Sequence, residues 1–419
     1  MKEMSRKILF IPALLLICAI VGYFLLAGVY CLPTERMEKN MKESVEIFYA
    51  EDNYPQLMEY KNSQLDNFTD GIMLLTASNP NHDNVWYDAI KAERYLTSDT
   101  PVETILDVYG DGVEEPDNTY YARYWHGYLV LLKPLLMLFG YGQIREIMMF
   151  CQLGLFAILL VMLAKRNVKL IIPVFLMWIF LNPVTTMMSL QFNTVLVITL
   201  ISMIGILCFK EKFIIKSCYG WCLFFMIIGV LTSYFDLLTY PLLTLGAPLA
   251  LWLAFDFSEH FWSNFKNLVQ LSIFWGIGYA GMWVLKWIIG SLITGENVIG
   301  NAVEQVAFRT SFVADDTVIT FSKMMHELQY SARQYTWIFA LVLLAGYFVY
   351  RVLKTRKLNI NMFVSFLIIS LFPMVWYLVM KNHSFIHHWF TYRELAISVY
   401  AMSTCALIYG DKYLVIKDK

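Results

Sequence analysis

The stretch that decides the fold runs from Tyr121 to Ala164 and reads YARYWHGYLVLLKPLLMLFGYGQIREIMMFCQLGLFAILLVMLA. Its first part, 125–140, is apolar but shorter than the roughly 20 residues that a membrane-spanning helix needs, so we expect a helix at the membrane interface. After the FGYG turn at 139–142, the apolar run 144–164 is long enough to cross a bilayer. The stretch therefore predicts an interfacial helix, a glycine turn and a transmembrane helix.

Composition places the whole chain in the same class. Of its 419 residues, 58% are hydrophobic and 16% are charged, and the mean hydropathy is +0.54, whereas soluble domains carry about 25% charged residues. We therefore expect an all-α integral membrane protein of the cell membrane. Apolar windows predict about ten transmembrane helices, near 8–30, 143–164, 168–186, 191–209, 218–235, 239–255, 268–289, 336–352, 360–380 and 395–410.

The distribution of charge predicts the orientation. An even number of membrane crossings assigns a set of segments to the cytoplasmic side. Together these segments hold 17 of the 32 Lys and Arg but only six acidic residues. Such an excess of basic residues is the positive-inside bias. Both termini are therefore expected in the cytoplasm, and the first loop, 31–124, is expected outside, where it carries 19 acids against seven basic residues. The predicted parts are a first transmembrane helix 1–30, an extracytoplasmic loop with juxtamembrane helices 31–124, an interfacial helix 125–140, a bundle 143–410 with external loops 290–335 and 381–394, and a cytoplasmic tail 411–419.

About the first 165 residues of the chain resemble membrane-embedded glycosyltransferases of the GT-C superfamily, of the protein O-mannosyltransferase and aminoarabinose-transferase type. The matching residues are the segment His126–Leu129, the pair Phe139–Gly140, Arg145, and Asp70 in the loop before them. Gly127 stands where that family usually has proline, and Asp70 is followed by Gly rather than Glu. The resemblance implies an active site on the extracytoplasmic face, with an acidic catalytic residue in the first loop.

Asp70 is the candidate catalytic residue. It follows the polar residues Asn67–Thr69 and precedes an apolar run, and a carboxylate at the mouth of a membrane cavity can take a proton from an acceptor hydroxyl. The alternative role is a helix N-cap or a turn acid. Asp83 and Asp88 are the next candidates.

Four cations or potential cations follow within 23 positions: Arg123, His126, Lys133 and Arg145. A polyprenyl-phosphate donor carries its phosphate at the membrane surface, so these groups can bind it and neutralise the charge that develops on the leaving group. The alternative is that their side chains extend toward lipid headgroups.

The short loop 381–394, KNHSFIHHWFTYRE, is the densest polar and aromatic cluster. His383 and His387 are four residues apart and would share a helix face, and Arg393 opens the next predicted span. We expect these three residues to bind phosphate or sugar, with an aromatic interface belt as the alternative. A divalent metal is possible but not indicated, because no third ligand is visible at a suitable spacing, and no other cofactor is expected.

The predicted function is transfer of a sugar from a polyprenyl-phosphate-linked donor to a cell-surface glycan, lipid or protein acceptor. Membrane lipid is an expected partner, and nucleic acid is not, since no basic patch of that type is present. One alternative is a transporter or flippase of lipid-linked saccharides, which would show broken helices in corresponding halves. Another is a polymerase or ligase of such saccharides, which fits the cluster at 381–394.

Overall fold

The computed structural model describes residues 2–82, 84–212, 214–314, 317–332, 335–355 and 359–409. Helices form most of this part of the chain, accompanied by two short antiparallel strand pairs. The expectation of an all-α chain is confirmed at this level. Two predicted features, the candidate Asp83 and the tail 411–419, lie outside the described residues.

The segment up to residue 124 contains one long helix and then several short elements. No single helix covers 35–60: the chain forms two short helices there, and the second ends at Glu51, after which Asp52 takes a positive φ of 56°. The elements are α1 (Lys2–Tyr30), α2 (Glu35–Lys42), α3 (Val45–Glu51), α4 (Asn67–Ser78), α5 (Val85–Lys91), β1 (Glu93–Leu96), α6 (Pro101–Ile105) and β2 (Asp117–Tyr120), with β1 and β2 antiparallel.

The rest of the described chain is a helical bundle with short helices in its connections. Its elements are α7 (Leu129–Leu138), α8 (Tyr141–Arg166), α9 (Ile171–Phe180), α10 (Pro183–Met188), α11 (Leu190–Glu211), α12 (Cys218–Phe235), α13 (Leu243–Asp256), α14 (Phe261–Thr294), α15 (Val298–Thr310), β3 (Val313–Ala314), β4 (Thr317–Val318), α16 (Phe321–Ala332), α17 (Tyr335–Thr355), α18 (Ile360–Ser370), α19 (Phe372–Val379), α20 (Lys381–Ile386), α21 (His388–Thr391) and α22 (Ala396–Ile408).

Within the described residues, six helical stretches are long and apolar enough to cross a membrane. They are Leu9–Tyr30, Tyr141–Arg166, Leu190–Lys210, Cys218–Phe235, Phe261–Thr294 and Ile360–Val379. A multi-pass membrane protein is therefore supported. The expected span 168–186 is divided between α9 and α10, whereas the other three expected spans overlap α13, α17 and α22. A total of ten crossings remains a prediction.

The motif that opens the bundle has the expected order. Helix α7 ends at Leu138, Gly140 caps the next helix, and α8 begins at Tyr141. Gly127 has a specific reason to be glycine: its N–H donates a hydrogen bond to the Tyr234 carbonyl at 2.9 Å, and a Cβ there would lie 2.3 Å from the Tyr234 ring. Proline at this position would lose this donor and collide with Tyr234, so the fold requires glycine here.

Helices α12 and α14 pack with their backbones in contact, and this contact positions the site described below. A Cβ at Gly229 would lie 2.1 Å from the Trp275 carbonyl oxygen, and one at Gly278 would lie 2.1 Å from that of Met226. Small residues permit such close approach between helices. The remainder of α14 extends past this contact toward the connections that carry α15 and the segment up to residue 124.

Candidate functional site

The structure places the predicted site residues in two groups and leaves two side chains, Arg393 and Lys133, outside them. Asp70 and Arg145 belong to a buried polar cluster, which we name the anchor network. It consists of Glu51, Asn67, Asp70, Tyr141, Arg145 and Ser189.

Asp70 is completely buried and accepts four hydrogen bonds. Its Oδ2 accepts from the Tyr141 hydroxyl at 2.7 Å and the Leu190 N–H at 2.9 Å, and its Oδ1 accepts from the Ser189 hydroxyl and the Gln191 N–H, both at 3.1 Å. Burial raises the pKa of the Asp70 carboxyl, while these donors oppose the rise. The carboxylate thus satisfies the free N–H groups at the start of α11. Asp66, not Asp70, is the N-cap of their own helix α4, so Asp70 differs from the local capping alternative. The catalytic role remains a prediction.

Arg145 connects the start of α8 to the first loop. Its guanidinium makes a bidentate contact with Glu51, at 2.7 and 2.8 Å, and also donates to Asn67 Oδ1 at 2.9 Å and to the Tyr141 hydroxyl at 2.8 Å. Burial alone would raise the pKa of Glu51, but the guanidinium outweighs it and the net pKa is lowered. Such charge-assisted pairs are the strongest protein hydrogen bonds, so Arg145 holds the loop against the bundle.

Arg393 fills the break between α9 and α10. It is completely buried, donates to the Leu181 carbonyl at 3.1 Å and the Thr185 hydroxyl at 2.7 Å, and lies 4.1 Å from the centre of the Phe192 ring. Asp70 and Arg393 therefore bind the same segment, 181–191, from two sides.

Lys133 stands apart from both groups. It is buried, its Nζ donates to the Ala77 carbonyl at 2.9 Å, and it lies 4.5 Å from the centre of the Tyr30 ring. Burial lowers the pKa of Lys133 to about 8. Its contacts attach α7 to α4 and α1.

The second group surrounds a cavity of about 250 Å³, which we name the arginine cavity. Two residues at its wall, Val284 and Val306, are 46% and 47% exposed, so the cavity opens through an apolar surface. Aromatic, amide and guanidinium side chains are among its lining residues: Arg123, Tyr279, Trp283, Trp287, Gln305 and Arg309.

His383 positions one of these arginines. The Arg309 guanidinium donates to His383 Nδ1 at 2.6 Å, and His383 Nε2 lies 2.9 Å from the Leu238 carbonyl oxygen. Burial, together with the charge of Arg309, lowers the pKa of His383 well below its ordinary value. Leu238 lines the cavity at φ 67°, which is uncommon for a residue with a side chain. The histidine thus holds both a cation and a strained loop residue at the cavity wall.

Arg123 is held from the other side of the cavity. It donates to Asn301 Oδ1 at 2.6 Å and lies 4.2 Å from the centre of the Tyr121 ring. Burial alone would raise the pKa of the Tyr121 hydroxyl, but Arg123 and Arg309 outweigh it, and the net pKa is lowered. The two arginines therefore share one electropositive neighbourhood.

His126 supports this neighbourhood without lining the cavity. It is 1% exposed, and its ring nitrogens lie 2.8 Å from the Tyr121 carbonyl oxygen and 2.8 Å from the Tyr128 hydroxyl. Burial lowers the pKa of His126 to about 3. A neutral His126 therefore fixes the turn that carries Tyr121.

His387 lies behind His383. Its ring stacks on Phe390 with centroids 5.1 Å apart, and its Nδ1 is buried with no hydrogen-bond partner among the described residues. Both ring nitrogens of His383 are already occupied. Over the described part of the chain, no three His, Cys, Asp or Glu side chains form a group that could hold a metal ion.

A second cavity, of about 530 Å³, adjoins the first, and we name it the polar cavity. Arg123 lines both cavities. The polar cavity is also lined by residues with polar side chains, namely Thr119, Tyr120, Glu296, Asn297 and Asn301.

Sequence reasoning missed the residues that complete these cavities. Arg309 was visible only as one of several charges in a long loop. The aromatic residues Tyr279, Trp283 and Trp287 recur every four positions on α14, and this spacing on one helix face is the signal that was available.

We found no match between this chain and a protein-family model, a curated protein or a solved structure.

Proposed function

We propose that this chain is a polytopic membrane glycosyltransferase, which moves a sugar from a polyprenyl-phosphate donor to an acceptor at the extracytoplasmic face. The arginine cavity carries the proposal. It combines an aromatic wall, an opening through apolar surface at Val284 and Val306, and two guanidinium groups, Arg123 and Arg309. A polyprenyl phosphate has the matching parts, an apolar chain joined to an anionic group.

The two arginines have a direct role in such a reaction. When the sugar leaves, negative charge grows on the polyprenyl-phosphate leaving group, and fixed cations stabilise that charge in the transition state. Guanidinium groups suit this task because they bind phosphate through two parallel hydrogen bonds. His383 and Asn301 hold Arg309 and Arg123 in place before the donor arrives.

The acid-rich segment 31–124 predicts the side of the membrane at which the two cavities open. Arg123 ends this segment, and the strand β2 just before it lies beside the start of α15 at the polar cavity. If segment 31–124 is extracytoplasmic, as the charge distribution predicts, both cavities open at that face.

Asp70 keeps its predicted role only under one condition. A general base must come within hydrogen-bond reach of the acceptor hydroxyl, and both carboxylate oxygens of Asp70 are occupied by donors, including the Leu190 and Gln191 N–H groups. The connection between α10 and α11 would have to open before Asp70 can take a proton.

The late connection 381–394 favours a second candidate function, a polymerase or ligase of lipid-linked saccharides. His383 from this connection touches Arg309 at the cavity wall, so late residues contribute to the site. That class would use a lipid-linked oligosaccharide as donor and would leave a single-sugar donor untouched.

The test is a transfer assay with purified protein in lipid vesicles. A polyprenyl phosphate carrying one radiolabelled sugar is supplied with a cell-envelope extract as acceptor, and the label is followed from the lipid fraction into the acceptor fraction. We expect transfer by the wild type and at least about a 100-fold slower rate for Arg309→Ala, since two charge-assisted hydrogen bonds are lost.

Arg36→Ala, an exposed arginine of the same predicted face, is the matched control and should keep the wild-type rate. Label that crosses the vesicle membrane while still attached to lipid would support the flippase alternative. Transfer seen only with an oligosaccharide donor would support the polymerase or ligase.

A further inference from the structure

The polar cavity differs in chemistry from the arginine cavity beside it. Its lining offers the Thr119 hydroxyl, the amides of Asn297 and Asn301, and the Glu296 carboxylate. Hydroxyl and amide groups both donate and accept hydrogen bonds, and a carboxylate accepts them. This combination matches a ligand whose surface consists of hydroxyl groups.

The charge of the lining points to a neutral ligand. Among the described residues that line the polar cavity, Arg123 is the one cation and Glu296 the one anion. A second phosphate on the ligand would meet the Glu296 carboxylate with no additional cation to compensate, which is unfavourable. The lining thus disfavours a nucleotide or a diphosphate in this space.

Arg123 stands at the boundary between the two spaces. It lines both cavities, and its guanidinium is fixed by Asn301 Oδ1 at 2.6 Å. The order of environments along the molecule is therefore apolar wall, guanidinium, polar wall. A sugar carried on a polyprenyl phosphate has the same order: chain, phosphate, sugar.

We infer that the polar cavity binds the neutral, hydroxyl-rich sugar group of the donor, with Glu296 and Thr119 accepting hydrogen bonds from its hydroxyls and Arg123 binding the phosphate next to it. This inference rests on the proposed function, because it assigns the second half of the same ligand. Glu296 raises the pKa of the Tyr120 hydroxyl, and both residues line the polar cavity.

The experiment compares two probes on the full-length protein in nanodiscs: a bare polyprenyl monophosphate and the same lipid carrying one neutral hexose. The quantity of interest is the ratio of their dissociation constants. We expect the wild type to bind the sugar-bearing lipid about tenfold more tightly than the bare lipid. Glu296→Gln and Thr119→Val should reduce this preference to about twofold or less while leaving the affinity for the bare lipid unchanged.

Glu304→Gln is the matched control, because Glu304 lies on α15 and is exposed outside both linings. It should keep the wild-type preference. If the preference survives in Glu296→Gln and Thr119→Val, or if the wild type shows none, the inference is wrong. A different result would contradict the proposed function itself: the bare lipid would then bind to the wild type and to Arg309→Ala with the same affinity.

Discussion

The Arg309 guanidinium and the His383 ring are 2.6 Å apart, and this contact determines the protonation state of the histidine. A guanidinium can only donate hydrogen bonds, so Nδ1 must accept and His383 must be neutral. Its Nε2–H then donates to the Leu238 carbonyl at 2.9 Å. Protonation of His383 would place two cations in contact and release Arg309 from its position at the cavity.

The first prediction concerns pH. The pKa of His383 is lowered in the folded protein, so below about pH 6.5 the unfolded state binds more protons than the folded state, and stability falls as pH falls. The loss is at most about 1.4 kcal/mol per pH unit for one histidine. Glutamine can accept from Arg309 and donate to Leu238 without titrating, so the melting temperature of His383→Gln should fall less between pH 7 and pH 5 than that of the wild type.

Other titrating groups, His387 among them, are common to both proteins, so the difference between the two melting curves reports His383 itself. An equal fall in the wild type and His383→Gln would mean that the Arg309 contact does not depend on a neutral ring.

The second prediction concerns Asp70. An amide at this position would direct an NH₂ group at donors such as the Leu190 N–H, so Asp70→Asn should destabilise the protein by about 1.5–3 kcal/mol, the usual cost of losing a charge-assisted buried hydrogen bond. Thermal unfolding followed by tryptophan fluorescence measures the change. Asp99→Asn, an exposed acid in the same segment, is the control and should leave the melting temperature unchanged. Lost transfer with an unchanged melting temperature in Asp70→Asn would support the catalytic role predicted from sequence.

The third prediction tests the ion pair of the anchor network. Arg145→Met leaves the Glu51 carboxylate partly buried without its cation, which typically costs about 3–5 kcal/mol for a buried pair and less where water reaches one partner. Glu51 is 22% exposed, so we expect a value near the lower end. Adding Glu51→Gln to Arg145→Met should recover part of the loss in a double-mutant cycle. Strictly additive effects in thermal unfolding would show that the two side chains do not stabilise one another.

Local sequence signals predicted much of the fold. The FGYG sequence ends one helix and begins the next, and the Asn182–Pro183 pair lies at the boundary between α9 and α10, where Asn182 takes φ 58°. Both features depend on residues that are close in the chain. By contrast, α3 ends at Glu51, the chain turns at Asp52, and Glu51 contacts Arg145 across 94 positions.

The candidate site was predicted less completely, because its contacts also join residues that are far apart in the chain. Asp70 does serve as a cap, but for α11, whose N–H groups are about 120 positions away. Arg309 reaches the cavity because α15 lies back against α14, and nothing in the sequence around Arg309 indicates that arrangement. Contacts of this range depend on how helices pack, whereas periodicity reports only which face of each helix is apolar.

The fourth prediction concerns orientation. In a variant whose exposed native cysteines are replaced by serine, Glu103→Cys should react with a membrane-impermeant maleimide in intact cells, since segment 31–124 is predicted outside. Lys165→Cys, at the other end of α8 from that segment, should react only after the membrane is permeabilised. Both positions are exposed. Labelling of residue 165 but not residue 103 in intact cells would reverse the predicted topology.

The most direct measurement of the central claim is the affinity of the purified protein for a polyprenyl monophosphate relative to the corresponding polyprenol, which lacks the phosphate. We predict that the wild type prefers the phosphate by at least about 100-fold, as two guanidinium contacts of about 1.5–3 kcal/mol each would give. The double variant Arg123→Gln/Arg309→Gln should lose this preference, while Arg36→Gln keeps it. Equal affinities for the phosphate and the alcohol in the wild type, or an undiminished preference in the double variant, would contradict the account.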